Sequence, residues 1–393
     1  MKNILIIATF FPPMGGVGTV RAAKYVKYLR SFGWNPTVVT IADKYITNYD
    51  DTLLKDINKD IKIIKLELKE GYKKIGEAFY NALKKQIDTI IQNNKFDAFF
   101  ITGGPFEPMR IAPYIFKKYK IQYIIDLRDP WKLEKIITTT KLKEIKAKIK
   151  RFLIGIYEKK IFKYAFKICT VNETMNQQYQ EEYKKIRDKF VNIPNGYDPE
   201  DYEMIEPKKL QGFNIVYAGK FEVSSGFRNP TSFFKAIKIV NDNGVLVNFI
   251  HIGQQEERVI EIAKKEQIEQ YCTFVGRKSY RESLEYCKGA NILLVIGGNE
   301  KCEQTGKIFD YIGCAKPIIV LANADSEITT VCKSVENAYC IEKNNIDKIV
   351  KTIVKIHNEK NDLNPNKMSE KYMRNNLTLE LVKILDQIEK GSK

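Results

Sequence analysis

Short, almost wholly apolar runs separated by longer stretches of helical periodicity set the limits on what this chain can fold into. The runs Ile4–Thr9, Pro36–Ile41, Ile61–Leu66, Ala98–Thr102, Tyr123–Asp126, Ile168–Val171 and Val191–Ile193 have strand character. Strands that are apolar on both faces must be covered on both, which a parallel sheet flanked by helices achieves. Between the first two runs, Ala22, Val26 and Leu29 share one helical face, and Gly33 follows as a natural cap. After Pro194-Asn195-Gly196-Tyr197-Asp198 the series restarts with Asn214–Ala218, Leu246–Gly253, Thr273–Val275, Ile292–Ile296, Pro317–Leu321 and Ala338–Ile341. The polar, acidic, proline-containing stretch Asp198–Gln211 reads as a linker, and nothing repeats at the short periods of solenoids. The pattern predicts an α/β chain of two doubly wound, Rossmann-like domains, 1–203 and 204–373. A last helical pattern, about Leu377–Ile388 within the segment 374–393, lies beyond the final strand and suits packing on either domain, including back on the first.

Composition narrows the class. A length of 393 residues exceeds one ordinary core, since domains run to roughly 100–200 residues. No apolar stretch approaches the ~18 residues of a membrane span. The opening Ile4-Leu5-Ile6-Ile7-Ala8 is too brief for a secretory signal and runs straight into Phe10-Phe11-Pro12-Pro13, so a buried first strand is expected. The seven cysteines (169, 272, 287, 302, 314, 332 and 340) form no C-x-x-C pair, which argues against a disulfide framework and a zinc site and fits a reducing cytoplasm. Only His251 and His357 are present, so a histidine-based metal site is not expected.

The net charge is +17 and unevenly spread: Trp131–Thr170 holds twelve Lys/Arg against three Asp/Glu, a local excess of +9. The charges interleave with apolar residues, as in Lys148-Ile149-Lys150-Arg151-Phe152-Leu153-Ile154. That pattern suits either a solvated helix face or a helix lying on an anionic membrane. No recognisable reading motif for nucleic acid accompanies the charge.

Two glycine loops stand out. The first, Thr9-Phe10-Phe11-Pro12-Pro13-Met14-Gly15-Gly16-Val17-Gly18-Thr19, would let backbone N–H groups approach a phosphate at a helix start. It departs from the dinucleotide fingerprint G-x-G-x-x-G, because Arg21 occupies the third glycine position counted from Gly16 and the loop begins late after the strand. The second, Gln304-Thr305-Gly306-Lys307-Ile308, leads into Phe309-Asp310-Tyr311-Ile312-Gly313-Cys314-Ala315-Lys316-Pro317. It lacks the upstream glycine and the Ser/Thr of a P-loop, yet Gly306 and Lys307 are suited to a phosphate. Asp310 is placed either for ribose hydroxyls or for compensating the helix dipole.

The order of motifs resembles family 4 glycosyltransferases of the GT-B fold, the bacterial glycosyl transferases group 1 type, over nearly the whole chain. Phe11-Pro12-Pro13-x-Gly15-Gly16 is similar to that family's opening loop, and Ile193-Pro194-Asn195-Gly196-Tyr197-Asp198 to its I-P-N-G-x-D segment. Tyr217-Ala218-Gly219-Lys220-Phe221 with Arg228-Asn229-Pro230 resembles the start of the donor domain. Phe274-Val275-Gly276-Arg277 resembles its F-x-G strand, and Asp310–Pro317 its E-A-x-x-x-G-x-P block. The resemblance implies two domains facing across a cleft, with a nucleotide-diphosphate sugar as co-substrate, no further cofactor and no metal. Lys220 and Arg228 would grip the pyrophosphate, and Gly16, Gly219, Arg277, Glu303, Gln304, Thr305, Gly306, Lys307 and Asp310 would complete the donor site. The family's E-x7-E pair would fall on Cys302 and Asp310, so the first acid is missing, and Glu303 stands one position off. Where many members carry a histidine, this chain has Ile125-Asp126-Leu127-Arg128-Asp129-Pro130-Trp131, which resembles a D-x-R-D-x-W variant. That makes Arg128 and Asp129 candidate catalytic residues, with a structural ion pair as the alternative.

The activity this implies is retaining, metal-independent transfer of a sugar to a glycan or lipid-linked acceptor in bacterial surface polysaccharide or glycoconjugate synthesis. The enzyme would be cytoplasmic, peripheral on the inner face of the plasma membrane if the basic segment docks there. Gly15, Gly104 and Glu107 are the expected acceptor-side residues. Retention follows from the resemblance alone. The rival readings are a nucleotide-sugar epimerase on the same fold, which needs no acceptor, and a NAD-dependent oxidoreductase, which needs the missing glycine.

Overall fold

The computed structural model describes residues 1–134, 140–223, 228–298, 306–359 and 369–390. They form two compact units, one of Met1–Asn195 with Arg374–Lys393 and one of Gly196–Met373.

The first unit is a seven-stranded sheet in the order β3-β2-β1-β4-β5-β6-β7. Its strands are β1 (Lys2–Ala8), β2 (Trp34–Ile41), β3 (Lys62–Leu66), β4 (Ala98–Thr102), β5 (Gln122–Leu127), β6 (Lys167–Thr170) and β7 (Phe190–Asn192). Every ladder is parallel. Its helices are α1 (Val17–Leu29), α2 (Ile75–Gln92), α3 (Ala112–Tyr119), α4 (Lys141–Tyr164) and α5 (Glu173–Glu182). The two-residue period of a strand sends Leu5 and Ile7 to one apolar layer and Ile4, Ile6 and Ala8 to the other. Helix α1 passes into a short 3-10 turn that Gly33 closes in the left-handed region at φ 86°, where glycine carries no Cβ penalty.

The second unit begins with the short helix α6 (Glu200–Glu203) and holds a six-stranded sheet, β10-β9-β8-β11-β12-β13. The strands are β8 (Phe213–Ala218), β9 (Val247–Ile252), β10 (Cys272–Gly276), β11 (Ile292–Ile296), β12 (Ile318–Leu321) and β13 (Ala338–Ile341). The helices are α7 (Thr231–Asp242), α8 (Glu257–Lys265), α9 (Tyr280–Gly289), α10 (Lys307–Gly313), α11 (Glu327–Cys332) and α12 (Ile346–Asn358). Its ladders are parallel too. Tyr202 and Ile205, from the segment that reads as a linker, are buried in this unit's core.

Both sheets have the Rossmann order, in which strand succession reverses beside the first strand. Ligands bind outside the carboxyl ends of strands at that switch point. The switch lies between β1 and β4 in the first unit and between β8 and β11 in the second. The loops that leave β1, β4, β8 and β11 are therefore the ones the fold positions for chemistry.

The terminal helix α13 (Arg374–Lys390) belongs to the first unit. Leu377, Leu381, Val382 and Leu385 bury against Ala22, Ala23 and Val26 of α1. Asp386 accepts hydrogen bonds from Lys2 Nζ at 3.0 Å and Trp34 Nε1 at 3.1 Å.

Candidate active site

In the second unit the polypeptide leaves β8 through Gly219, whose φ is 126°. The Gly219 N–H donates to the Ile252 carbonyl at 2.7 Å, and its own carbonyl lies 2.7 Å from His251 Nε2. A methyl group at Gly219 would collide with the Lys307 ammonium, and one at Gly253 with the Gly219 carbonyl. Glycine at both positions is what allows the two strand ends and Lys307 to meet this closely.

Lys307, the first residue of α10, donates to Tyr217 Oη at 3.2 Å and lies 4.5 Å from the Tyr217 ring centroid. Tyr217 Oη in turn donates to the Lys220 carbonyl at 2.7 Å. The next three N–H groups, of Phe221, Glu222 and Val223, donate to the Glu256 carboxylate at 2.8, 2.9 and 3.1 Å. Those bonds outweigh partial burial and hold Glu256 below the usual carboxylate range. The loop backbone is thus fixed on both sides of Lys220, while the Lys220 side chain is exposed. Arg228 pairs with Glu222 at 3.0 Å, its side chain only 15% exposed. Three of the expected donor-site cations therefore sit on or against the loop that leaves β8.

The remaining donor-side candidates are placed as follows. Gly306 precedes α10 as its N-cap, whereas Glu303, Gln304 and Thr305 lie outside the described residues. Asp310 Oδ1 accepts from Tyr202 Oη at 3.0 Å and Tyr280 Oη at 2.7 Å, an arrangement not legible in the sequence. Burial and the adjoining Asp310 charge push the Tyr202 hydroxyl well above its ordinary pKa, so it remains a donor, and together with the half-exposed Tyr280 it fixes the orientation of the Asp310 carboxylate. Arg277 follows the positive-φ Gly276 and donates to Gln254 Oε1 at 2.8 Å, with its side chain exposed.

In the first unit Arg128 spends its guanidinium on backbone. It donates to the carbonyls of Gly103 and Gly104, the latter at 2.7 Å, and to that of Gly18 in the first turn of α1. Burial lowers its pKa from the ordinary arginine value. The side chain fastens the loop after β4 to the start of α1, which makes it a positioning residue for that loop. Asp129 is exposed beside it. Gly104, in the same loop, has a φ of 83°, and Glu107 opens the 3-10 turn Glu107–Ile111. In the loop after β1, the Gly15 N–H is taken by the Asn48 carbonyl at 2.7 Å, and Gly16 is the N-cap of α1.

A fully buried ion pair in this unit was not among the sequence candidates. Arg21 and Asp126 are 1% and 0% exposed. Arg21 Nε and Nη2 donate to Asp126 Oδ1 at 3.1 and 2.9 Å, and Thr102 Oγ1 donates to Asp126 Oδ2 at 2.9 Å. Arg21 also donates to the carbonyls of Ile193 at 2.9 Å and Pro194 at 2.8 Å. Burial alone would lower the Arg21 pKa; Asp126 more than offsets it, so the guanidinium keeps its proton more tightly than usual. The available signal was the arginine itself, standing where a dinucleotide-binding loop has its third glycine. A guanidinium fills that place and ties the start of α1 to the end of β5 and to the Ile193-Pro194 segment.

The family model for glycosyl transferases group 1 matches residues 205–376. No curated protein sequence matches the chain. Among solved structures the chain is similar to a glycosyltransferase from Rickettsia africae ESF-5, at 14% identity and a TM-score of 0.65 over 99% of each chain. It is also similar to the UDP-GlcNAc 2-epimerase from Methanocaldococcus jannaschii, at 12% identity and a TM-score of 0.58 over 98% of this chain and 100% of that one. A third is HepE of Anabaena, solved with UDP, at 10% identity and a TM-score of 0.60 over 100% of this chain and 99% of that one. At these identities the structural likeness speaks for the fold, and the family match speaks for the activity. The chain is a GT-B-fold glycosyltransferase whose residues 205–376 form a group 1 glycosyltransferase domain.

Proposed function

We propose that this enzyme is retaining and metal-independent, taking a nucleotide-diphosphate sugar on the second unit and passing the sugar to a glycan or lipid-linked acceptor recognised by the first. The setting would be bacterial surface polysaccharide or glycoconjugate synthesis. The observation that carries the donor assignment is the placement of Lys220, Arg228 and Lys307 around the fixed loop after β8, at the switch point of the sheet. As the bond between the anomeric carbon and the phosphate oxygen breaks, the electron pair goes to the leaving diphosphate. Preorganised cations stabilise that charge where it develops. Retention of configuration rests on the family resemblance.

The same cations can replace a divalent ion, and the sequence carries no D-x-D pair. Transfer is therefore expected to continue at its full rate in EDTA. Loss of turnover on chelation, restored by magnesium or manganese, would show that a metal is required. The same assay separates transfer from epimerisation: nucleoside diphosphate should be released only when acceptor is present.

We also propose that α4 brings the first unit to an anionic membrane, which favours the lipid-linked acceptor. Ile145, Ile149, Phe152, Leu153 and Ile156 are each at least 50% exposed, while Ile154, Ile161 and Phe162 face the core. The three- and four-residue spacing makes the exposed set one stripe, and Lys143, Lys146, Lys150 and Lys160 are exposed on the same helix. No helix among the described residues is long and apolar enough to cross a membrane. A lysine near an anionic surface contributes about 1 kcal/mol, and the attraction fades as the Debye length contracts to about 3 Å in 1 M salt. The protein is expected to sediment with anionic vesicles, to be released by salt, and to bind less when those four lysines become glutamine. Equal binding to neutral vesicles would contradict membrane docking by charge.

A further inference from the structure

His251 is a buried titratable group that the transfer chemistry does not use. It lies in β9, 0% exposed, with the rings of Phe221, Tyr217 and Phe274 at centroid distances of 5.0, 5.9 and 6.0 Å. Its Nε2 is 2.7 Å from the Gly219 carbonyl. A carbonyl only accepts, so Nε2 carries the proton. Nδ1 is buried with no hydrogen-bond partner among the described residues. A proton there would place a charge among aromatic rings with nothing to receive it. Burial accordingly lowers the His251 pKa, against the opposing pull of the Gly219 hydrogen bond and of Glu256, and with the help of Lys307. The ring is a neutral, single donor aimed at one peptide group.

An aliphatic side chain would fill a strand interior without stranding a nitrogen, so the histidine calls for an explanation in what it holds. It holds the carbonyl of Gly219, immediately before Lys220. Tyr217 holds the carbonyl of Lys220, and Glu256 holds the three N–H groups after it. Resting on the assignment of Lys220 to the donor diphosphate, we propose that His251 is a positioning residue for the donor. Its Nε2–H fixes the Gly219–Lys220 peptide and so aims the Lys220 ammonium at the diphosphate. His251 touches neither substrate; it acts through the loop. Tyr217 and Glu256 are the other two sides of the same frame.

The test compares His251→Phe, which fills the ring space without a donor, with His251→Gln, whose amide N–H reaches about as far as Nε2. Lys220→Ala is measured in parallel. The readouts are KM for the nucleotide sugar, KM for the acceptor, and kcat. His251→Phe is expected to raise the donor KM about tenfold or lower kcat by as much, the worth of one well-placed hydrogen bond, with the acceptor KM unchanged. His251→Gln should stay near wild type. If Lys220→Ala is impaired while His251→Phe keeps wild-type donor kinetics, the positioning role is wrong and the donor site stands. If donor and acceptor KM change together in His251→Phe, or His251→Gln is as impaired as His251→Phe, the role is wrong as well. If Lys220→Ala itself is unimpaired, the donor-site assignment fails and takes this inference with it. Should His251→Phe not fold, His251→Gln decides: a wild-type donor KM supports the proposal, and a raised one overturns it.

Discussion

Alanine at Lys220 is expected to cut kcat by about 10²–10³-fold, the usual loss when one preorganised donor to a developing anion is removed. The loop that carries Lys220 is fixed by Tyr217, His251 and Glu256 independently of the lysine side chain. The substitution should therefore leave the melting temperature unchanged, and the loss can be assigned to the charge. Arg228→Ala should lower kcat to a similar degree. Arg228→Lys is expected to remain impaired, because a point charge does not reproduce a planar fork that can keep its pair with Glu222 while offering further N–H groups to the proposed diphosphate. Steady-state kinetics with the donor varied check all three variants, and wild-type turnover in both alanine variants would remove this loop from the mechanism.

The largest effect on stability is expected at Arg21. Breaking a buried ion pair from one side leaves an uncompensated charge and costs about 3–5 kcal/mol. Arg21→Ala strands the Asp126 carboxylate at 0% exposure and frees the Ile193 and Pro194 carbonyls. Asp126→Ala strands the guanidinium and the Thr102 hydroxyl. Both should shift the urea transition of the first unit by that amount. Arg21→Met combined with Asp126→Leu should be closer to wild type than either single change, since apolar replacement of a whole pair is often neutral. Equal destabilisation in the double variant would show that the backbone carbonyls, rather than the ion pair, carry the energy.

The two sheets could be read from the sequence because their strands are buried on both faces. Runs such as Ala98–Thr102 and Ile292–Ile296 are apolar without alternation, and β4 and β11 have those bounds. The terminal helix could not be assigned to a unit, because an apolar stripe such as Leu377, Leu381 and Leu385 names no partner. Tyr202 and Ile205 were hidden in a polar, acidic stretch, and only their burial shows that the segment contributes to a core. The α4 stripe was visible as spacing, but whether it faced the sheet or water required the structure. Within the site, Gly219 and Lys307 were each donor-side candidates through the family resemblance, but their close approach is seen only in the structure. The Tyr202–Asp310–Tyr280 arrangement, the Arg128 staple and the Arg21–Asp126 pair join residues far apart in the chain. No local pattern encodes such pairings, because each depends on which strand ends the sheet order brings together.

The loop after β8 is proposed to bind a nucleoside diphosphate without a metal. The decisive experiment is calorimetric titration of UDP, GDP, dTDP, ADP and NAD in EDTA, into wild type and Lys220→Ala. At least one diphosphate is expected to bind the wild type, the Lys220→Ala variant to bind it about tenfold or more weakly (a loss of about 1.4 kcal/mol or more), and NAD not to bind. Diphosphate affinity that is identical in the two proteins, or binding of NAD in preference to every diphosphate, would contradict the proposal.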